Sequence, residues 1–282
     1  MSEQKTRRGF GRPLVNERNM KVRYRSIRFD GIRCRKQGVI YSRLHRRQQR
    51  YALNRHLIYT LAHNDTETAL ALVNAGADPN TRVKPTPTPS LKRLLDLDYL
   101  PPSTDDNPTA FIIACGRRWI PPHEWDIPVF SMAENLILPQ AMLAHGADID
   151  ARTFGNRTAL FYAIAMQRLP TVKWLVENGA DVNAQDDMGY TPLFTAINHP
   201  TATIARLLLS HGANPNAQLV NGMAALHQVA EWPDASSLIS ELLVYGADPD
   251  LPDKEGHTPL MIAEEEHDSH IIALLRKYSK HP

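Results

Sequence analysis

The residues best suited to chemistry lie near the end of the chain. His267 and His270 are three positions apart on a predicted helix, directly after Glu264, Glu265 and Glu266. Imidazole and carboxylate groups at this spacing can share a metal ion. A run of charged side chains is, however, more typical of a helix face that contacts solvent. We therefore predict a solvated face here and no metal site.

The rest of the chain offers no catalytic constellation. Enzymatic chemistry needs a nucleophile with its base, a metal cluster or a phosphate-binding loop, and none of these occurs with usable spacing. The two cysteines, Cys34 and Cys115, are far apart and lack CxxC spacing. Neither a disulfide framework nor a zinc finger is indicated, and a reducing compartment fits best. The sequence predicts a protein that is not an enzyme and that uses no cofactor.

One short phrase recurs along the chain at the ends of predicted helices. Its copies are NAGADPN (74–80), HGADID (145–150), NGADVN (178–183), HGANPN (211–216) and YGADPD (245–250). The glycines of the last four copies are 33, 33 and 34 residues apart. An apolar pair precedes each glycine by four and three residues, which predicts a buried stripe on each helix. Glycine tolerates the left-handed backbone that ends a helix, and the fixed period is typical of a solenoid.

A second phrase marks the beginnings of helices. It occurs as TALF (158–161), TPLF (191–194), AALH (224–227) and TPLM (258–261), with threonine suited to the N-cap and proline to the first turn. With the period of 33, these phrases resemble the TPLHxA signature of the ankyrin repeat. The resemblance covers roughly residues 53–280. It implies an all-α, ankyrin-type helical repeat solenoid of helix-turn-helix units joined by short β-hairpin loops.

The predicted organisation is a basic N-terminal arm over residues 1–50 and an ankyrin repeat domain over 51–282. The arm is compatible with disorder or with a small hairpin that turns at Asp30 and Gly31. About six units are expected, the first and last of them caps. Their spans are 53–80, 81–150, 151–183, 184–216, 217–250 and 251–282.

The second unit, 81–150, carries long insertions. Added loop length costs little free energy, so these segments are compatible with tolerated surface loops. Arg117, Arg118, Trp119 and Trp125 lie close together on Pro-rich backbone, which is also compatible with a binding loop. The sequence leaves both interpretations open.

Charge is divided unevenly along the chain. Residues 1–55 contain 17 Lys and Arg against 3 acids, whereas the remainder contains 15 against 27, so net charges of +14 and −12 add to the overall +2. Residues 1–55 are thus suited to nucleic acid or another polyanion. A solvated or docking tail, and a true start further downstream, remain alternatives. With no apolar run long enough to span a bilayer, we predict no membrane partner and a cytoplasmic location, or a nuclear one in a eukaryote.

The resemblance implies a monomeric scaffold that binds a protein partner with its hairpin tips and inner helices, on the concave face. The variable positions there supply an apolar and aromatic strip flanked by charged residues. The predicted partner-binding residues are Arg152, Phe154, Arg157, Asp187, Met188, Tyr190, Met223 and Trp232. Trp232 precedes Pro233 and is equally suited to packing in its own turn. The alternative function is a nucleic-acid-associated regulator that uses the basic arm.

Overall fold

The computed structural model describes most of the repeat region and three short segments of the arm. The described residues are 14–16, 21–23, 46–62, 65–82, 107–116, 135–198, 202–233, 235–266 and 269–280. Strands β1 (Leu14–Asn16) and β2 (Lys21–Arg23) pair antiparallel. The turn predicted at Asp30 and Gly31, and both insertions of the second unit, lie outside the described residues. Every other regular element in the described ranges is a helix.

The chain divides into two compact units. The first comprises Met1–Ala114 and Arg118–Asp148, and the second comprises Cys115–Arg117 and Ile149–Pro282. Helix α3 (Ala110–Cys115) ends one residue inside the second unit. The other helices of the first unit are α1 (Arg46–Ala62), α2 (Thr66–Asn74) and α4 (Ile137–Ala144). Those of the second unit are α5 (Ala159–Ala165), α6 (Leu169–Glu177), α7 (Pro192–Ile197), α8 (Thr203–Ser210), α9 (Ala225–Ala230), α10 (Ser236–Val244), α11 (Pro259–Glu265) and α12 (Ser269–Tyr278).

The second unit is built from helix pairs, as predicted. Each pair has an inner helix (α5, α7, α9 or α11), which follows the hairpin loop, and an outer helix (α6, α8, α10 or α12). Inner helices pack side by side in chain order. Their cores come from one repeated position, because Leu160, Leu193 and Leu226 are all buried. In the last pair, the corresponding Leu260 is only half-buried and the next residue, Met261, is exposed. The described chain adds no further repeat that would cover them.

The predicted helix starts are present, although threonine does not always cap them. Thr191 Oγ1 accepts a hydrogen bond from the Phe194 N–H at 3.2 Å, and Thr258 Oγ1 accepts one from the Met261 N–H at 3.3 Å. Thr158 is buried, and its hydroxyl has no hydrogen-bond partner among the described residues. The TALF copy therefore keeps the extended backbone of an N-cap without the side-chain cap.

Glycine is needed at helix stops and hairpin turns for two different reasons. Gly179, at a helix stop, has φ +87°, and a Cβ there would meet open space. Gly222, at a hairpin turn, has φ +90°, and a Cβ there would lie 2.5 Å from the Lys254 nitrogen of the next hairpin. At Gly179, backbone conformation alone disfavours a residue with a Cβ. At Gly222, the close packing of the neighbouring hairpin disfavours it as well.

The recurrent helix-stop phrases, from NAGADPN to YGADPD, are called GAD phrases here, and the Asn and Asp side chains at their ends join successive repeats. Asn183 Oδ1 accepts the Asn214 N–H at 2.7 Å, and Asn183 Nδ2 donates to the Gly212 carbonyl at 3.0 Å. Within its own phrase, the Asn183 N–H donates to Asp181 Oδ1 at 2.9 Å, which closes a turn. Equivalent bonds to the next repeat are Asp148 N–H to Asn80, Asp181 N–H to Asp150, and Asp248 N–H to Asn216.

Asp250, which ends the last GAD phrase, forms hydrogen bonds with residues that follow α12. Asp250 accepts hydrogen bonds from the Ser279 hydroxyl and the Lys280 N–H, both at 2.7 Å. Lys280 Nζ also lies 3.2 Å from Asp248 Oδ2. Residues after α12 thus bond to the position that, in earlier repeats, bonds to the following repeat.

We predict that Gly222→Ala destabilises the protein more than Gly179→Ala. Both variants force alanine into a left-handed conformation, which costs about 1–2 kcal/mol. Gly222→Ala must also displace backbone of the neighbouring hairpin, so its total cost should exceed that of Gly179→Ala by at least about 1 kcal/mol. Urea unfolding of the two variants measures the difference. Equal midpoints would contradict the close approach at Gly222.

We also predict that Asn183→Ala lowers the free energy of unfolding by about 1–3 kcal/mol, because two inter-repeat hydrogen bonds are lost. Asn183→Asp is the matched control, since it retains the acceptor and reproduces the arrangement at Asp150. It should cost less than Asn183→Ala, because it loses only the bond to the Gly212 carbonyl. Chemical denaturation tests this order, and equal losses would show that the acceptor oxygen contributes nothing.

A third prediction concerns pH and the first helix pair. His56 on α1 is buried, and burial lowers its pKa to about 4 against a partial opposing effect of Asp65. Below about pH 6.5, His56 is protonated in the unfolded chain but stays neutral in the folded chain. The free energy of unfolding therefore falls as the pH drops from 6.5 towards 4. At pH 5 the loss from this group should be about 2 kcal/mol relative to pH 7.5.

The variant His56→Gln isolates that contribution because it removes the titrating group. Unfolding free energies of both proteins at pH 7.5 and 5.0 give the comparison. His56→Gln should lose less stability than the wild type over this interval. Parallel losses would show that His56 titrates normally in the folded protein.

Candidate functional site

The hairpin loops of the second unit form a connected row. Each loop is closed by two backbone hydrogen bonds, for example from the Asp186 N–H to the Tyr190 carbonyl at 3.0 Å and from the Gly189 N–H to the Asp186 carbonyl at 2.9 Å. In the described part of the second unit, these loops contain no strands. Neighbouring tips are joined as well. The joining bonds run from Asp187 N–H to Gly155 O (3.3 Å), from Val220 N–H to Met188 O (3.0 Å) and from Lys254 N–H to Asn221 O (3.1 Å). The tips are therefore held at fixed spacing.

Three apolar side chains project from these tips. Phe154, Met188 and Val220 are 59%, 59% and 54% exposed. We call these three residues the tip row. Phe154 and Met188 belong to the predicted strip, whereas Val220 was not assigned to it. Its position two residues before the hairpin glycine, equivalent to that of Phe154, is the sequence signal that identifies it.

The three other large residues of the predicted strip are less accessible. Tyr190, Met223 and Trp232 are all half-buried. The Tyr190 ring packs edge-on against Phe194, with centroids 5.2 Å apart and planes at 84°. Tyr190 thus contributes to the packing of its own repeat and presents only part of its surface.

The charged residues of the predicted strip bind neighbouring loops within the unit. Arg157 Nε donates to Asp186 Oδ2 at 3.0 Å, and that carboxylate is nearly buried. Arg152 Nη1 donates to the Gln185 carbonyl at 2.9 Å. Asp187 Oδ1 accepts a hydrogen bond from Asn156 Nδ2 at 2.6 Å. These contacts fix the third repeat's hairpin against the fourth, so the polar groups support the tip row as well as border it.

His227, the one histidine that matches the TPLH signature, is fully buried. Its Nδ1 accepts the Ala224 N–H at 3.1 Å, which takes the place of a threonine cap, and Nε2 lies 3.2 Å from the His257 carbonyl. Burial lowers the pKa of His227, with backbone hydrogen bonding to His257 opposing it. The contacts assign a neutral ring that donates from Nε2, a structural role.

The described residues show no arrangement suited to catalysis or metal binding. Burial raises the pKa of the Cys115 thiol, so it is a poor nucleophile. In the described part of the chain, no three His, Cys, Asp or Glu residues are placed to hold a metal ion. Glu264 pairs with Arg276 at 2.8 Å, and His267 lies outside the described residues.

Two further sequence predictions concern other parts of the chain. The proposed binding loop with Arg117, Arg118, Trp119 and Trp125 falls outside the described residues. As to membranes, none of the described helices combines the length and the apolar character needed to cross a bilayer.

Comparison with known proteins gives a family for part of the chain. Residues 129–219 match the family model of ankyrin repeats, in three copies. The search of curated proteins gives no match. The matched segment contains α4 to α8, and within it the hairpin turns, helix pairs and helix stops follow the period predicted from the sequence. Residues 129–219 are therefore ankyrin repeats.

Proposed function

We propose that this chain is a non-catalytic protein-binding scaffold whose partner docks on the tip row and the adjoining inner-helix surface of the second unit. Ankyrin repeats are generally protein–protein interaction modules. The observation that carries the proposal is the exposure of Phe154, Met188 and Val220 on consecutive hairpin tips. Apolar side chains brought together on a surface mark interaction sites more often than single ones do.

The rigidity of the tips supports this proposal. A binding surface made of mobile loops loses conformational entropy when a partner orders it. Here the backbone bonds between tips, together with the contacts of Arg157 and Arg152, already hold the loops in place. A partner that buries the tip row therefore gains apolar contact area with little ordering cost.

The residues of the predicted strip take different parts in this proposal. Phe154, Met188 and Val220 act as anchors, and the exposed portions of Tyr190, Met223 and Trp232 add contact area beside them. Aromatic residues and Met are enriched at such interfaces. Arg152, Arg157 and Asp187 set the spacing of the tips and offer their remaining polar surface to the partner.

Several earlier expectations remain predictions. These are the division at residues 50 and 51, the monomeric state, the cytoplasmic or nuclear location and the binding of nucleic acid through residues 1–55. Helix α1 begins at Arg46 and so runs continuously across the predicted boundary. The nucleic-acid alternative rests on the charge of the arm alone.

The double variant Met188→Asp with Val220→Asp tests the proposed surface. Both side chains are exposed, so the melting temperature should stay within about 2 °C of the wild type. Capture of the most enriched partner from a lysate should fall at least tenfold, since truncating interface anchors commonly costs 2 kcal/mol or more.

The control is Val244→Asp, which places the same charge at an apolar residue that is 70% exposed on the outer helix α10. This variant should capture the partner as well as the wild type does. Undiminished capture by the double variant would rule out the tip row as the docking surface.

A further inference from the structure

The Asp186 carboxylate lies at the base of the fourth repeat's hairpin and bonds to two hairpins at once. Its Oδ1 atom accepts hydrogen bonds from the N–H groups of Met188 and Tyr190, both at 2.9 Å. Its Oδ2 atom accepts one from Arg157 Nε and lies next to Arg157 Nη2, both at 3.0 Å. Arg157 belongs to the third repeat's hairpin. Only 3% of the Asp186 side chain is exposed, so a docked partner has almost no access to it.

The fifth repeat shows that a hairpin of this kind closes without a carboxylate. Its residue at the position equivalent to Asp186 is Leu219. The Leu219 N–H donates to the Met223 carbonyl at 2.8 Å, and the Gly222 N–H donates to the Leu219 carbonyl at 2.9 Å. These are the same two backbone bonds that close the fourth repeat's hairpin. The Asp186 side chain is therefore not required for the hairpin to form.

The sixth repeat has an aspartate at this position but no bridge of the same kind. Asp253 Oδ1 accepts the N–H groups of Glu255 and His257 at 2.8 and 2.9 Å, as Asp186 does in its own hairpin. The residue of the fifth repeat that is equivalent to Arg157 is Met223, whose side chain has no N–H to donate. The arginine bridge thus joins the third and fourth hairpins, which carry Phe154 and Met188.

Energetics favour a geometric role for this bridge. Charge-assisted hydrogen bonds from two nitrogens of one guanidinium are strong and fix the relative orientation of the groups. A carboxylate withdrawn from water, however, gains little net stability over well-packed apolar side chains. Leu219 shows that this chain also uses the apolar solution. What the bridge adds is a defined position of one hairpin relative to the next.

We propose that Asp186 is a positioning residue of the tip row. It holds the hairpins of Phe154 and Met188 at one separation, so that a partner contacts both anchors without having to order them. Asp186 contributes to affinity through these two anchors and does not touch the partner itself. This inference rests on the proposed function and adds to it a residue that lies outside the predicted strip.

The variant Asp186→Asn tests the positioning of the hairpins without any ligand. It keeps the shape and the Oδ1 acceptor of the side chain but replaces Oδ2 with an NH₂ group, which cannot accept from Arg157. The Asp187 N–H donates to the Gly155 carbonyl of the third hairpin at 3.3 Å. Hydrogen exchange of this amide should become at least tenfold faster in the variant, because the bond opens more often.

The matched control is Asp253→Asn, which makes the same chemical change where no arginine bridge exists. The Lys254 N–H donates to the Asn221 carbonyl of the preceding hairpin, as the Asp187 N–H does to that of Gly155. Exchange of the Lys254 amide should stay within about twofold of the wild-type rate.

A peptide probe tests the consequence for binding. Peptides are selected from a random phage-displayed library on the full chain, and one that is weakened by both Phe154→Ala and Met188→Asp is made synthetically. By calorimetry, Asp186→Asn should weaken its binding at least tenfold, because the peptide must now order the hairpins. Asp253→Asn should leave the affinity unchanged.

The same measurement in the Phe154→Ala background separates positioning from general damage to the fold. With one anchor removed, the separation of the two hairpins no longer matters to the peptide. Asp186→Asn should then change the affinity by less than about twofold, so the two substitutions are strongly non-additive.

The outcomes separate this inference from the proposed function. Unchanged exchange of the Asp187 amide overturns the inference, and so does faster exchange with unchanged peptide affinity; both leave the proposed function intact. Equal losses of affinity with and without Phe154 would assign Asp186 a general structural role, which also overturns it. If no selected peptide depends on Phe154 and Met188, the proposed function fails, and the inference fails with it.

Discussion

The stacking within each unit depends on one recurrent hydrogen bond, in which the Asn or Asp side chain that ends a repeat accepts a backbone N–H of the next. In the second unit, Asp150, Asn183 and Asn216 accept from Asp181, Asn214 and Asp248 at 2.7–2.9 Å. Apolar burial along α5, α7, α9 and α11 supplies most of the cohesion but is not directional. The side-chain acceptor adds direction, since it fixes the register in which one GAD phrase faces the next.

The register also sets the positions of the hairpins that follow these phrases. Because the GAD phrases are aligned, the hairpins that follow them are aligned too, and their tips can exchange backbone hydrogen bonds such as that from Val220 to Met188. The tip row is thus a product of the stack and does not exist in an isolated hairpin. A surface formed in this way can combine side chains that are about 33 residues apart in sequence.

The local features of the fold were predictable from the sequence because each depends on a single residue and its neighbours. Gly179 at positive φ, Thr191 as an N-cap and the turn closed by Asp181 follow from backbone sterics and short-range hydrogen bonding. The longer-range use of Asn183 was not predicted, since a residue that favours a sharp reversal gives no sign that its side chain also reaches the next repeat. Thr158 shows the reverse, in that its sequence context predicts a cap that is not formed.

The candidate site was predictable only in part, for a related physical reason. Exposed positions follow from the repeat pattern, and Phe154 and Met188 lie exposed in the hairpin loops. Whether a charged side chain there is engaged by its neighbour depends on distances between repeats, as with Arg157 and the nearly buried Asp186.

Hydrogen exchange of individual backbone amides tests the central role of the inter-repeat acceptor most directly. The Asp181 and Asn214 residues are exposed, yet their N–H groups donate to Asp150 and Asn183. We predict that these two amides exchange at least a hundredfold more slowly than an unstructured peptide, and in step with the helices of the same repeat. Exchange of both amides at the unstructured rate, beside protected helices, would show that side-chain acceptors do not hold the repeats in register.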